Sequence, residues 1–354
     1  MNRVSAVKII GSIGLVISML LNGCTTNSIT DDNVSGNDLT ATEVIRLMGN
    51  GINLGNTLEA YNHKSYVELG VDPTSFETLW GQPVTTRDMI DDMKAMGFDT
   101  LRIPVAWTNG INYESGDYTI DERLMNRVDE VVNYALDADM YVILNEHWDG
   151  SWWGMFGSAD EAVREKGMAL YKSMWTQISE HFSDYSYKLI FESANEELCH
   201  RLNDSDVTGT EGVLSEDECY ETTNRINSEF VKLVRSTGGK NADRFLLIAG
   251  YNTDFRKTCD DRYQMPEDTA KDKLLLSVHY YTPWDYCSDG NAKRWGTPGD
   301  YEEQNSLFQM LTKFTDRGYG VVIGEYAVMG AANKPDRDKF YANLLDNCDL
   351  YNLS

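Results

Sequence analysis

The chain has 354 residues, 42% hydrophobic and 25% charged, enough for a sizeable core in one catalytic domain. A formal net charge of -25 disfavours nucleic acid and anionic membrane surfaces as main ligands, because both would repel it. A neutral ligand fits, but acidity also serves solubility and does not choose among neutral ligands.

The N-terminus reads as an address. Asn2-Arg3 and Lys8 form a basic start, and residues 9–21 form an apolar run too short for a comfortable membrane span. Leu21-Asn22-Gly23-Cys24 follows at once. The pattern resembles a bacterial lipoprotein signal. It implies loss of residues 1–23, lipidation of Cys24 and an exported protein anchored at the cell envelope, at the outer membrane or cell surface. Ordinary secretion with an incidental Cys24 is the alternative. Residues 24–40, rich in Ser, Thr, Asn, Asp and Gly, read as a flexible tether, which leaves 41–354 for the catalytic domain.

From there, strand patterns alternate with amphipathic helices, the signature of βα units around a parallel sheet. Strands are expected at 51–57, 100–107, 140–147, 188–196, 245–252, 274–281 and 320–327. Helices are expected at 85–96, 121–138, 161–182, 218–235, 301–317 and 336–345. The fold class is α/β, a (β/α)8 TIM barrel. The long connections 58–84, 197–217 and 253–273 follow strand ends, where such a barrel builds its cleft. The pattern stops after the seventh strand and one more helix. The barrel is therefore expected to be truncated before its eighth strand, with strands one and seven keeping unpaired edges and a core open to water.

Two strands break on a glutamate: Lys188-Leu-Ile-Phe-Glu-Ser-Ala-Asn-Glu196 and Gly320-Val-Val-Ile-Gly-Glu325. Paired carboxylates at the C-terminal ends of barrel strands point to glycoside hydrolysis. One acid protonates the leaving oxygen and one carboxylate meets the oxocarbenium-like carbon, with no cofactor or metal required. A metal-dependent barrel hydrolase is the weaker alternative, because five His occur without a His-x-His or His-Glu-x-x-His spacing.

Six motifs in order carry a resemblance: Gly51-Ile-Asn-Leu-Gly-Asn-Thr-Leu-Glu59, Leu101-Arg-Ile-Pro-Val105, Asn145-Glu-His147, Asn195-Glu196, His279-Tyr-Tyr281 and Gly324-Glu325. Together they resemble the retaining endo-β-1,4-glucanases of glycoside hydrolase family 5. The opening motif with Thr85-Thr-Arg-Asp-Met89 and Pro283 looks most like the branch acting on β-glucans and, in some members, xyloglucan.

The resemblance implies Glu196 as acid/base and Glu325 as nucleophile. Glu196 should hold its proton in the free enzyme, favoured by desolvation and the charge of Glu325. Arg102 and Tyr281 would keep Glu325 ionised, Asn195 would hold the sugar 2-OH, and His147 and His279 would fix Glu196, its neighbours and the substrate. Asn56 on the first-strand motif is a further substrate-binding candidate. Trp148, Trp153 and Trp284 follow strand ends and are candidate sugar platforms, whereas Trp80, Trp107 and Trp175 are expected in the core. The partner is then a β-glucan polysaccharide, bound by a monomer. A non-catalytic glycan-binding lipoprotein, or a mannanase or xylanase of the same family, are the alternatives.

Two residues depart from the family pattern. Glu197 stands where Asn-Glu-Pro is usual and would put a second carboxylate beside the acid, raising its pKa further if ionised and close. Glu146 stands where an apolar residue is common, and should point away from the lumen into the helix layer. Glu192 shares the face of Glu196 one layer deeper. After Cys24 the cysteines are five, Cys199, Cys219, Cys259, Cys287 and Cys348. Cys199 with Cys219 is the one suspected disulfide, with buried free thiols equally compatible.

Overall fold

The computed structural model describes residues 38–288, 292–330 and 333–354, so the leader, Cys24 and most of the tether lie outside the described residues. Seven parallel strands run in chain order: β1 (Gly51–Asn53), β2 (Thr100–Ile103), β3 (Tyr141–Asn145), β4 (Leu189–Glu192), β5 (Leu246–Asp254), β6 (Leu274–Tyr280) and β7 (Gly320–Tyr326). Every residue of β2, β3, β4 and β6 is buried, as a parallel sheet covered on both faces requires. The seven strands form a nearly closed (β/α)8-type barrel. Each expected strand is present; β1, β2, β3 and β4 stop two to four residues short, since the motif residues beyond them leave the ladder to become the mouth of the barrel.

The helices start where short polar side chains satisfy free backbone N–H groups. Thr40 with Glu43, Ser215 with Glu218 and Thr297 with Asp300 form capping boxes before Ala41–Met48, Glu216–Ser236 and Pro298–Met310. The helix expected over 301–317 is two pieces, Pro298–Met310 and Thr312–Thr315.

The seam expected between the first and seventh strands is there, but the outer edge of β7 is not left unpaired as expected. β1 pairs with β2 alone among the described strands. β7 pairs with β6, and against its other edge Ser354 donates from its N–H to Val321 O (3.1 Å) and accepts from Ile323 N–H (2.6 Å). The Asn53 side chain reaches across to Gly324 O at 2.9 Å. A cavity of about 1100 Å³ runs from Glu325, Arg102 and Tyr281 down this seam to Leu344 and Ser354.

Two expectations fail. Trp80 is 45% exposed, unlike the fully buried Trp107 and Trp175, because it sits in the irregular segment after β1 rather than on a packed helix face. Cys199 and Cys219 are free thiols, as are Cys259, Cys287 and Cys348. Cys199 donates to Asn252 Oδ1 (3.1 Å) while Cys219 accepts from Asn203 Nδ2 (3.8 Å), so each sulfur already has its own partner.

Candidate active site

The register of the sheet assembles the site before any loop contributes. Asn53 of β1 aligns with Arg102 of β2, and Asn145 of β3 with Glu192 of β4. Between β6 and β7 the pairing slips by one residue at Gly324, which brings His279 level with Glu325. A Cβ at Gly324 would stand 3.0 Å from Ser277 Oγ and 3.1 Å from His279 Nε2. Glycine there lets the histidine ring lie against the strand that carries the carboxylate.

Arg102 is the hub. It is 3% exposed, and its guanidinium donates to four partners. Nε reaches Glu192 Oε2 (2.7 Å), Nη1 reaches Glu325 Oε1 (2.9 Å) and Asn53 Oδ1 (3.2 Å), and Nη2 reaches Asn195 Oδ1 (2.9 Å). The other oxygen of Glu192 accepts from Ser277 Oγ at 2.6 Å. Glu192 therefore anchors the arginine that orients Glu325 and Asn195. The sequence placed it on the right face, and the unpaired arginine opposite was the signal that could have given it this job.

Glu325 also accepts from the Tyr281 hydroxyl at 3.0 Å. Burial alone would push its carboxyl up, but the positive field of His279 and Arg102 and the Tyr281 hydrogen bond outweigh burial and hold it well below the usual carboxylate range. Tyr281 is pushed far up by its own burial and by Glu325, so it remains a donor.

Glu196 lies beyond the end of β4. Its Oε1 is 2.9 Å from His279 Nδ1, and Arg201 stands 3.9 Å from Oε2. One oxygen of Glu196, one of Glu325 and a ring nitrogen of His279 all lie within 4.8 Å of one another. Such a trio can ligate a cation, but Arg102 and Tyr281 already donate to Glu325 and compete with one. His147 is held near 3 by burial and the Arg102 charge, so its ring is neutral, and its Nδ1 is 3.1 Å from Asn145 Nδ2.

The remaining candidates divide. Asn56 is exposed and lines the large cavity, its N–H donating to Glu59, a buried carboxyl on the same cavity wall that the sequence reading did not single out. Trp284 is 68% exposed, lies edge-on to Tyr281, and shares a second cavity of about 340 Å³ with Glu196 and Arg201. Trp148 is half-buried and packs edge-on against Tyr61. Trp153 is no platform: it is fully buried and stacked on Trp152 at 4.5 Å. The 3-10 helix Trp152–Gly157 turns both indoles inward, and Gly154 lets it press against the backbone of Asp204.

Glu146 does face the helix layer, fully buried near Tyr171 of Glu161–His181. The condition set on Glu197, that it be ionised to act on Glu196, is disfavoured: burial and the proximity of Glu196 push it up to about 8.

Comparison with known proteins agrees with this geometry. Residues 64–352 match the model of the cellulase family, glycosyl hydrolase family 5. Endoglucanase A of Paenibacillus barcinonensis is 34% identical over 328 residues, covering 85% of this chain and 75% of that protein. The xyloglucan-specific endo-beta-1,4-glucanase of Bacteroides ovatus is 34% identical over 311 residues, covering 84% of this chain and 59% of that protein. A broad specificity endoglucanase from Ruminococcus champanellensis with bound cellotriose superposes with a TM-score of 0.76 at 33% identity, covering 89% of this chain and 88% of that one. The chain belongs to glycoside hydrolase family 5. It is a glycoside hydrolase of the endoglucanase type, acting on β-1,4-glucan with retention.

Proposed function

We propose that Glu325 is the nucleophile and Glu196 the acid/base of a double displacement on β-1,4-linked glucan. The observation that carries this reading is the pair of oxygens within 4.8 Å, one on a carboxyl held ionised by Arg102 and Tyr281. Retention requires carboxyl groups about 5 to 5.5 Å apart, whereas inversion needs about 6.5 to 9.5 Å to admit a water. Glu325 attacks the anomeric carbon while Glu196 delivers its proton to the glycosidic oxygen; the C–O bond breaks, the shortened glycan leaves, and an ester to Glu325 remains. That ester removes the Glu325 charge beside Glu196, which then takes a proton from the incoming water as the water displaces Glu325. Asn195, its Oδ1 held by Arg102, has its amide N–H groups available to the sugar 2-OH.

Xyloglucan is the finer substrate proposal, supported by the Bacteroides ovatus relative and by the open cavity beside Trp284, which has room for a branched leaving portion. The envelope-anchored monomer, lipidated at Cys24, rests on the leader pattern alone, and Cys24→Ala should abolish incorporation of labelled palmitate.

The test is reducing-end release from β-glucan, carboxymethylcellulose, xyloglucan, glucomannan and xylan. Glu325→Ala and Glu196→Ala should fall to about 10⁻⁴ of wild type or lower on unactivated glycans. Azide should rescue the first with an α-glycosyl azide and the second with a β-glycosyl azide. A Glu325→Ala protein that keeps a tenth of the activity would overturn the assignment.

A further inference from the structure

The two departures from the family pattern meet in one place. Glu146, after β3, and Glu197, after β4, join Asp149 in a buried cluster: Glu146 and Asp149 are fully buried and Glu197 is 1% exposed. Asp149 accepts one side-chain hydrogen bond, from Thr108 N–H (3.1 Å), and Glu197 one from Asn195 N–H (3.2 Å). Both oxygens of Glu146, one each of Asp149 and Glu197, and the indole N–H of fully buried Trp152 lack a partner of good geometry. That indole is nevertheless directed toward Glu146 and Asp149.

The surroundings offer almost no positive charge. Tyr171 faces Glu146 from the helix Glu161–His181, and Tyr61 and Tyr113 face Asp149 from the loops after β1 and β2. Glu196, Cys199 and Arg201 face Glu197 from its own loop. Among the described residues none of the three carboxyls forms an ion pair, and Arg201, which acts on Glu197, is 41% exposed beside Glu196. Two ionised carboxylates face to face have only acceptors to offer each other. A proton on Glu146 converts the same contact into a hydrogen bond donated to Asp149.

We propose that Glu146, Asp149 and Glu197 act as one positioning unit that works while it holds its protons, tying the loop after β3 to the Asn195–Glu196 turn and releasing that turn when it ionises. Glu197 is the link, because its carboxyl accepts from Asn195 N–H within the turn and also lies within electrostatic reach of Glu146 and Asp149, so that charge on all three pushes the two loops apart. Burial first, then mutual repulsion, pushes Glu197 up to about 8 and Asp149 up to about 7, with Glu146 raised as well. The inference deepens the reading of Glu196 as acid/base, and only its activity arm depends on that reading.

The experiment compares the wild-type chain with Glu146→Gln, Glu197→Gln and the double variant, since glutamine keeps the shape and the donor but cannot ionise. Three quantities are followed from pH 5 to 9: the infrared C=O stretch of protonated carboxyl groups, near-ultraviolet circular dichroism of the buried indoles, and kcat. Wild type should show protonated carboxyl at pH 6 that titrates away between about pH 7 and 9, in step with a dichroism change and a fall in kcat. The double variant should show a weaker band, left by Asp149 and Glu196, and a smaller dichroism change, and should lose about 10-fold less kcat between pH 6 and 9. Its melting temperature should exceed wild type by about 3 °C or more at pH 9 and match it at pH 5. Wild type with no protonated carboxyl band at pH 6, or with flat dichroism to pH 9, overturns the proposal even if the variants do not fold. An identical alkaline fall in wild type and double variant also overturns it. A chain without hydrolytic activity would sink the acid/base reading while the infrared and melting arms still decide the cluster.

Discussion

The catalytic end of the barrel holds two sets of three carboxyls whose surroundings are opposite in kind. Glu192, Glu196 and Glu325 share Arg102, Ser277, His279 and Tyr281 as partners. Glu146, Asp149 and Glu197 share two backbone N–H groups and one directed indole. Burial separates them only in part: Glu192 is as buried as Glu146, whereas the Glu325 and Glu196 side chains are 19% and 28% exposed. The difference is one guanidinium. With Arg102 present, Glu325 is held ionised against its own desolvation; without a comparable cation, burial pushes Glu146 and Glu197 up, toward the protonated form.

The strongest way to break this contrast is to make the first set resemble the second. Arg102→Met leaves Glu192 and Glu325 buried without their cation, and breaking such a pair should cost about 3–5 kcal/mol in denaturant unfolding at pH 7. The pH dependence should change sign as well. A carboxyl with a depressed folded pKa, as Glu325 has, contributes stability above the ordinary carboxylate range and loses it only as pH falls well below that range. In the variant a carboxyl should take up a proton, so stability should decline as pH rises from about 5 to 8. Activity should drop at least about 1000-fold, because a protonated Glu325 is no nucleophile. A variant as stable and as active as wild type would remove the cation from the explanation.

A milder cut is Tyr281→Phe, which deletes one donor to Glu325 and leaves Arg102 in place. A hydrogen bond to a charged group contributes about 1.5–3 kcal/mol, so kcat/KM should fall about 10-fold to 100-fold with little change in melting temperature. An unchanged kcat/KM would mean that Arg102 alone fixes the nucleophile.

The second set is tested in the opposite direction. Glu146→Leu replaces a buried acid that has no cation with an apolar residue of similar volume and should stabilise the protein by about 1–3 kcal/mol at pH 8. The sign follows from linkage. A carboxyl whose folded pKa is raised favours the folded state below the unfolded value of about 4.3, and that advantage is lost as pH rises toward the folded value. The gain should therefore shrink toward zero near pH 5. Equal stabilisation at both pH values would indicate better packing rather than proton release.

The sequence made the first set legible and hid most of the second. Glu196, Glu325, Arg102, His279 and Tyr281 sit at strand ends where polar groups interrupt apolar runs, and strand period and order are local properties that a sequence records. What Glu146 and Glu197 do depends on side-chain direction at the first residues outside the ladder, where strand alternation no longer governs. Trp153 failed for the same reason. A 3-10 helix of six residues turns both aromatics inward, and nothing in Trp152-Trp153-Gly154 announces the backbone of Asp204 against which it packs. For Cys199 and Cys219, which flank one loop and helix, a disulfide and free thiols are equally compatible with the sequence; Asn252 and Asn203, from distant and neighbouring segments, claim them as free thiols.

The finest distinction between the two sets rests on Trp152, whose indole is the donor directed at Glu146 and Asp149. A donor to a carboxyl favours its ionised form, so Trp152 holds the second set closer to ionisation than burial alone would. Trp152→Phe removes that donor and also some core volume, and the lost volume should lower stability by a similar amount at every pH. The informative quantity is therefore the midpoint of the alkaline transition. It should move upward by about 0.5 pH unit, equivalent to about 0.7 kcal/mol. A midpoint that moves downward would mean the indole stabilises the protonated cluster, and the proton on Glu146 would then have to point away from Asp149.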